Sequence, residues 1–497
     1  MKIEKVSLAF SLLAFLALAY IFFPESVDDA YITLRFSKNL ILGNGPIFNI
    51  GERVEGYSNF SWMVLLAAFG WVGIPMEMAM KFLSLASGLG VLALVWKLSA
   101  NYFKSELAIS TSVILLGFGS FFAVWAVDGL ETMFYTMLLT SLVYTLTTDK
   151  TNTLLIGIVA SLVALTRPEG IMFSLIAVGY LTSKKGFLSG LKALALVAVF
   201  AGGYELFRIY YFGQFVSNTA LAKVHPNLNL VLNGLRYPLE YNAVSGYLLL
   251  PAALVGAAAS KKNARLRIPI IFILAQIFFL MVSGGDFMYA YRFIIPVVPC
   301  IVLLCASAVD ILYERVNRTV VLLIFISIVT SQAFFQYYSL PEKHIGFDNL
   351  TFRTSTLFTL ADFLAQRSEH NDWIMLSEAG IVPFYVDAKI MDNRGLVSPL
   401  KSIFNASGVI QSDYLYSVRP KFIIVTVVET ENGRLEFRSK REFDLAKNPN
   451  FTSYRHVRNF DIPKGDSFLN AIYYKYLPQQ TKRVFFAVFE RTNEISN

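Results

Sequence analysis

Charge is what this sequence of 497 residues has least of. Asp, Glu, Lys and Arg make up 16% of it, against about 25% in a soluble globular chain. With 55% hydrophobic residues and a mean hydropathy of +0.53, that scarcity excludes an ordinary soluble protein and points to an integral membrane protein. The only cysteines, Cys300 and Cys305, share one apolar run and say little about redox compartment. Four histidines (His225, His344, His370 and His456) are scattered, which gives a zinc site little support. The sequence has no P-loop, no dinucleotide fingerprint, no internal repeat and no low-complexity tract. The net charge of +8 falls mainly in short basic loops. No basic face with interleaved aromatics accompanies it, so it reads as an orientation signal and not as nucleic-acid affinity.

What is present is a series of greasy runs between residues 7 and 336. A span needs about 20 apolar residues. The candidates are 7–23, 77–97, 107–127, 131–147, 151–166, 169–183, 188–211, 242–260, 266–283, 291–309 and 318–336. They make about 11 transmembrane helices, in a range of roughly 10–13. The first follows Lys2 and Lys5 and has no small-residue cleavage site behind it, so a retained signal anchor is expected. Basic loops belong on the cytoplasmic side. Lys97, Lys104, Lys150, Lys184, Lys185, the cluster 261–267, Arg315 and Arg318 then alternate consistently only if the apolar stretch 58–74 does not cross. It would lie along the interface, anchored by Trp62 and Trp71, or dip in and return.

This topology puts the loops 24–76, 128–130, 167–170, 212–241 and 284–290 outside. The acidic residues Asp28, Asp29, Glu52, Glu55, Asp128, Glu131, Glu169, Glu240 and Asp286 all fall on that side. Carboxylates contribute little to orientation, so this sorting is independent of the assignment. Ionisable groups near membrane depth are functional candidates, and one external, partly buried polar site fed by several loops is expected. Its parts are the loop from SVDDAYITLRF to GERVEGYSNFSW, then DGLE (128–131), TRPEG (166–170), SNTALAK (217–223) and SGGDFMYAYRF (283–293). The pair Asp28 and Asp29 could deprotonate a hydroxyl, hold a cation, or cap the following helix. Arg167 with Glu169, and Asp286 with Arg292, could equally be structural pairs at a membrane edge.

Residues 340–497 read as a separate soluble α/β domain, after a membrane module of residues 1–339. A helical stretch at 351–368 precedes strand-like runs at 372–376, 421–429 and 482–491.

Taken in order, SVDDAYITLRFSKNL, NIGERVEGYSNFSW, DGLE, TRPEG, NTALAK and GGDFMYAYRF resemble the GT-C class of polytopic glycosyltransferases. The nearest named family is the cell-wall terminal arabinofuranosyltransferases and their bacterial relatives. AGIVPFYVDAKIMDNRGLVSP at 379–399 resembles the start of that family's C-terminal domain. The resemblance implies a GT-C-like helical membrane module with a long first external loop, and a C-terminal extracytoplasmic domain. It also implies inverting transfer of a sugar, arabinofuranose being the family's, from a polyprenyl-phosphate carrier to a cell-envelope glycan or other acceptor outside the plasma membrane. An acidic residue of the first external loop acts as base in such enzymes, which matches Asp29 first and Asp28 second. The remaining candidates are Arg35, Glu55, Tyr57, Asn59, Glu131, Arg167, Glu169, Asn218, Lys223, Asp286 and Arg292. Of these, Arg167, Lys223 and Arg292 would receive the phosphate, and Glu55, Tyr57 and Asn59 would bind sugar hydroxyls. No cofactor is expected; the alternative is a divalent cation on Asp28, Asp29 and Asp286. The chain departs from the family pattern at Ile50, where proline is usual, and at Ala220 and Leu221, where an aromatic pair is usual. The second change leaves other sugars open, such as mannose or an aminosugar, moved onto lipid A or protein. The alternative of another class is a lipid-sugar flippase, against which stands the lack of an internal repeat.

Overall fold

A computed structural model describes residues 3–492, apart from 25, 149–151, 219–227, 259–260, 262, 287, 344–346, 400–402, 404–410, 431 and 463–480. Lys2, Lys150, Lys223, His225 and His344 therefore lie outside the described residues.

The N-terminal part is helical: α1 (Ile3–Phe22), α2 (Asp28–Ile41), α3 (Phe60–Trp71), α4 (Met76–Tyr102), α5 (Glu106–Gly117) and α6 (Ser120–Trp125). After them come α7 (Thr132–Thr147), α8 (Thr153–Thr166), α9 (Gly170–Lys185) and α10 (Phe187–Val197). A π-helical turn, Ala198–Gly202, joins α10 to α11 (Gly203–Phe212). Further helices run over Leu228–Val244, Leu249–Ala258, Arg267–Ser283, Val298–Arg315, Arg318–Lys343 and Phe347–Ala365. The expected domain boundary at 339/340 falls inside the Arg318–Lys343 helix.

Among the described residues, six helices are long and apolar enough to cross a membrane. Leu228–Val244 and Leu249–Ala258, bent by 107° at their break, count as a seventh if taken as one span. Only 17% of the Phe187–Phe212 window is buried, so its apolar flank is left for lipid. The chain is a polytopic membrane protein; of the roughly 11 transmembrane helices expected, six or seven have full spanning length among the described residues. The run 107–127 is split at Phe118 and Gly119 into α5 and α6. The α8 helix is apolar but has 14 residues, about 21 Å at 1.5 Å per residue, short of a core of about 30 Å. The run 242–260 is broken at 245–248, where Gly246 and Tyr247 take left-handed φ of 79° and 65°.

The stretch 58–74 forms the 12-residue α3, too short to span alone. Trp71 is 77% exposed, but Trp62 is fully buried. The Trp62 indole packs on Phe134, and its Nε1 donates to the Gly129 carbonyl at 3.3 Å. Trp62 is therefore a core residue, and its expected role as an interfacial anchor is corrected.

The C-terminal part carries a six-stranded sheet. Its strands are β1 (Trp373–Leu376), β2 (Lys389–Asp392), β3 (Phe422–Thr430), β4 (Leu435–Phe437), β5 (Tyr454–Ile462) and β6 (Thr481–Arg491). The order is β2-β1-β3-β6-β5, with β4 on β3. The β1 strand runs parallel to β2 and β3, and the remaining pairs are antiparallel. Central β3 is buried almost throughout, which its unbroken run FIIVTVV requires. Sequence reading finds β1, β3 and β6 but misses β2, β4 and β5. The β5 strand (YRHVRNFDI) is a charged, largely exposed edge with no apolar alternation.

This sheet sits on the first loop. Asn49 bridges the two: its Oδ1 accepts from the Ile390 amide at 2.9 Å and its Nδ2 donates to the Ile390 carbonyl at 2.8 Å.

Candidate active site

The first turn of α2, the loop 56–59, the starts of α7 and α9 and the turn 283–293 meet around a cavity of about 440 Å³. Each contributor is placed by a local rule. Asp28 and Asp29 occupy the first turn of α2, where the positive end of the helix dipole favours carboxylates. Gly129, at φ 94°, reverses the chain so that Glu131 stands just before α7. Pro168 forces Arg167 into extended backbone (φ −150°, ψ 148°), ending α8 and turning Arg167 and Glu169 into the cavity. Gly284 and Gly285, both left-handed, end the Arg267–Ser283 helix and deliver Asp286.

The cavity gathers eight of the sequence candidates: Asp29, Tyr57 and Asn59 from the first loop, Glu131, Arg167 and Glu169, then Asp286 and Arg292. Most are already paired. Arg167 donates to Glu131 at 2.7 Å and to Glu169 at 2.5 Å. Arg292 donates through Nε to Asp286 at 2.6 Å. Asn59 donates to Glu131 at 2.8 Å and to Thr33 at 3.1 Å. Burial is the largest single influence on the Glu131 carboxyl and would raise it, but Arg167, Arg292 and the hydrogen bond from Asn59 together outweigh it and hold the group below the usual carboxylate range. Asp29 differs from the other carboxylates. It is half-buried, lines the cavity, and among the described residues has neither ion pair nor hydrogen bond.

The other candidates lie elsewhere. The Asp28 carboxylate accepts the amides of Gly380 and Ile381 at 3.0 and 2.8 Å, which ties it to the C-terminal part. Arg35 is a correction of another kind. Its guanidinium, buried over the Phe48 ring, donates to the carbonyls of Phe48, Pro383 and Ala388. It fastens the C-terminal part and does not reach the cavity; burial pushes it down to about 10. Asn218 donates to the Gly395, Leu396 and Ser398 carbonyls, holding Leu396 as part of the cavity wall. Glu55 faces away, between Tyr204 (2.5 Å) and Arg208 (2.8 Å). Burial raises its carboxyl against the pull of Arg208. Lys223 is outside the described residues. Glu240 pairs with Arg236 and Glu52 with Asn49, both away from the cavity.

A cation on Asp28, Asp29 and Asp286 does not fit this arrangement. Asp28 is committed to amides and Asp286 to Arg292, and no three His, Cys, Asp or Glu side chains group to hold a metal ion among the described residues.

A second hollow, about 490 Å³, adjoins the first; Ser58 and Pro168 line both. Its walls are apolar, from Phe60, Leu165, Ile171, Leu175, Leu194 and Ala201, and Tyr204, Glu205 and Arg208 stand along it. Sequence reading missed these last three, although Glu205 and Arg208, two of the three charges inside the apolar run 188–211, were a usable signal. The π-turn that opens α10–α11 lies against this hollow, as such turns often do at functional sites.

Several known proteins are similar to this chain in sequence or in fold. A family model described as "Domain of unknown function (DUF8728)" matches residues 348–483. The terminal beta-(1->2)-arabinofuranosyltransferase of Mycobacterium tuberculosis is 33% identical over 219 residues, 39% of this chain and 34% of the relative. The protein of the same name from Corynebacterium glutamicum is 28% identical over 322 residues, 54% and 46% of the two chains. The chain thus spans less than half the length of either relative. Among solved structures, ArnT from Cupriavidus metallidurans bound to undecaprenyl phosphate superposes with a TM-score of 0.56 at 11% identity, over 97% of both chains. The oligosaccharyltransferase of Archaeoglobus fulgidus gives 0.57 at 11% identity, over 98% of this chain and 88% of that one. The fold is the polytopic membrane fold of the GT-C glycosyltransferases. Within that class the chain resembles the terminal arabinofuranosyltransferases.

Proposed function

We propose that the protein is an inverting glycosyltransferase of the plasma membrane. It moves a sugar, arabinofuranose in the first instance, from a polyprenyl-phosphate donor to a cell-envelope glycan or other acceptor on the extracytoplasmic side, where the C-terminal α/β domain also lies. Asp29 takes the proton from the acceptor hydroxyl. That oxygen attacks the anomeric carbon, the bond from that carbon to the phosphate oxygen breaks with its electron pair, and polyprenyl phosphate leaves from the opposite face. One displacement inverts the centre.

The observation that carries this reading is the contrast among the four cavity carboxylates. Glu131, Glu169 and Asp286 are each held by a guanidinium, which fixes them in place and occupies their oxygens. Asp29 alone among them is unpaired within the described residues. The leaving phosphate falls to Arg292, which spends one edge on Asp286 and lines the cavity with the rest. Arg167, already bidentate to two carboxylates, acts as a strut. Lys223 is the third cation proposed for the phosphate. Tyr57 and Asn59 contact the sugar. The adjoining apolar hollow takes the first isoprene units, and Arg208 marks its polar side.

The test is Asp29→Asn. Transfer from a lipid-linked pentose donor is expected to fall by at least about 10³-fold, general-base removal costing typically 10²–10⁴, with expression and donor binding kept. Near-normal turnover by the variant would sink the assignment.

A further inference from the structure

Asp128 belongs to the DGLE motif but does not line the cavity. It is fully buried, in the loop between α6 and α7. Its Oδ2 accepts a hydrogen bond from the Tyr289 hydroxyl. Its Oδ1 has no partner among the described residues. A buried carboxylate left half-satisfied is costly, so the fold keeps it against a cost. Burial pushes the group up to about 7, while Tyr289, Lys81 of α4 and Arg292 pull it down. These are the titratable and charged groups that face it.

The Tyr289 ring stacks on Trp125 at 5.1 Å, and Trp125 Nε1 donates to the Ala290 carbonyl at 3.1 Å. Between them the two residues grip a strained turn. Ala290 and Tyr291 both have φ 49° without being glycine, a conformation that persists only when the surroundings over-determine it. The residue that leaves this turn is Arg292, whose guanidinium lies 6.0 Å from the Trp125 ring and lines the cavity. Glu131, three residues after Asp128, lines the same cavity from the other end of the loop.

We propose that Asp128 is a positioning residue: by holding the Tyr289 hydroxyl it keeps Ala290 and Tyr291 left-handed and so presents Arg292 to the leaving phosphate. The part that concerns phosphate rests on the glycosyltransferase reading; the clamp itself does not. Asp128 touches no substrate. It couples the DGLE loop to the turn that carries Asp286 and Arg292, so the two halves of the cavity wall move together.

The experiment uses the full-length protein in detergent or nanodiscs with D128N, Y289F, R292A and the double variant D128N/R292A. D128N keeps the shape but loses the charge of the acceptor, and Y289F keeps the stacked ring but loses the donor. Both are expected to lower kcat for transfer about tenfold or more, since displacing a positioned group by an ångström costs on that order, with donor KM nearly unchanged. In the R292A background D128N is expected to add no further loss. Phenylglyoxal labelling of Arg292, read by mass spectrometry, is expected to speed up several-fold in both single variants. The labelling does not depend on turnover, so a wild-type protein that transfers nothing would refute the enzyme reading and leave the clamp to be judged by labelling alone. Unchanged labelling in Y289F, or losses that multiply in D128N/R292A, would overturn the proposal. Should D128N fail to fold, Y289F decides.

Discussion

The Asp28 carboxylate accepts the Ile381 amide at 2.8 Å, across 353 positions of sequence. Its neighbour Asp29 turns to the cavity instead. Consecutive helical side chains diverge by about 100°, so two adjacent carboxylates with the same local sequence context do unrelated work. Asp28 holds the C-terminal part against the first loop, and the contact is close: a Cβ on Gly380 would lie 1.8 Å from the Asp28 carbonyl oxygen.

Asp28→Ala is therefore expected to act on stability. Losing two hydrogen bonds to a charged acceptor costs about 2–4 kcal/mol, read as a fall in the thermal midpoint, with a smaller loss of turnover than in Asp29→Asn. If Asp28→Ala were as inactive as Asp29→Asn yet melted like the wild type, the two aspartates would have to exchange roles.

Arg167 is the strut of the cavity. Arg167→Ala would leave Glu131 and Glu169 buried without their cation, and breaking a buried pair costs about 3–5 kcal/mol. Poor yield and a lowered thermal midpoint are expected, with partial recovery on adding Glu169→Gln. A stable Arg167→Ala protein would show that the carboxylates are protonated or otherwise partnered.

The apolar hollow gives a chain-length test. Ala201→Trp, which puts a large side chain on the wall of this hollow, is expected to raise KM about tenfold for a long polyprenyl donor and to leave a short-chain donor nearly unaffected. Loss of one well-packed isoprene contact is worth about 1–3 kcal/mol. Equal effects on both donors would place the chain elsewhere.

Asp128 sets a pH dependence of stability whose sign is fixed. Burial moves its carboxyl from an ordinary 3.8 to about 7 in the folded protein, so the folded state binds the proton more tightly than the unfolded state. Its contribution is fully present below about pH 4 and is lost as the pH rises through about 7. D128N, which does not titrate, is expected to flatten this fall between about pH 4 and about pH 7, measured by thermal melts in detergent. A fall of the same slope in D128N would assign it to another group.

Much of this was open to inspection in the chain alone. Low charge and long apolar runs declared a membrane protein, because backbone groups in lipid must bond within helices. The motifs around Asp29, Glu131, Arg167 and Asp286 stood out because ionisable groups beside apolar runs need a reason. Proline in TRPEG and the Gly-Gly pair in SGGD announced where the helices stop, and these are the turns that aim Arg167 and Asp286 inward.

What composition and spacing could not decide was which groups are free and which are spoken for. Arg35 looked like a site cation until carbonyls from Pro383 and Ala388 enclosed it. Glu55 looked like a sugar ligand until α11 brought Tyr204 and Arg208 against it. Hydropathy likewise marked every greasy segment but could not say which were split or bent, since a short helix is sustained by neighbours that the local sequence does not contain. Residue type and local punctuation are properties of the chain; the pairing of a charge depends on partners hundreds of positions away, and only the packed helices and the sheet laid over them assign those partners.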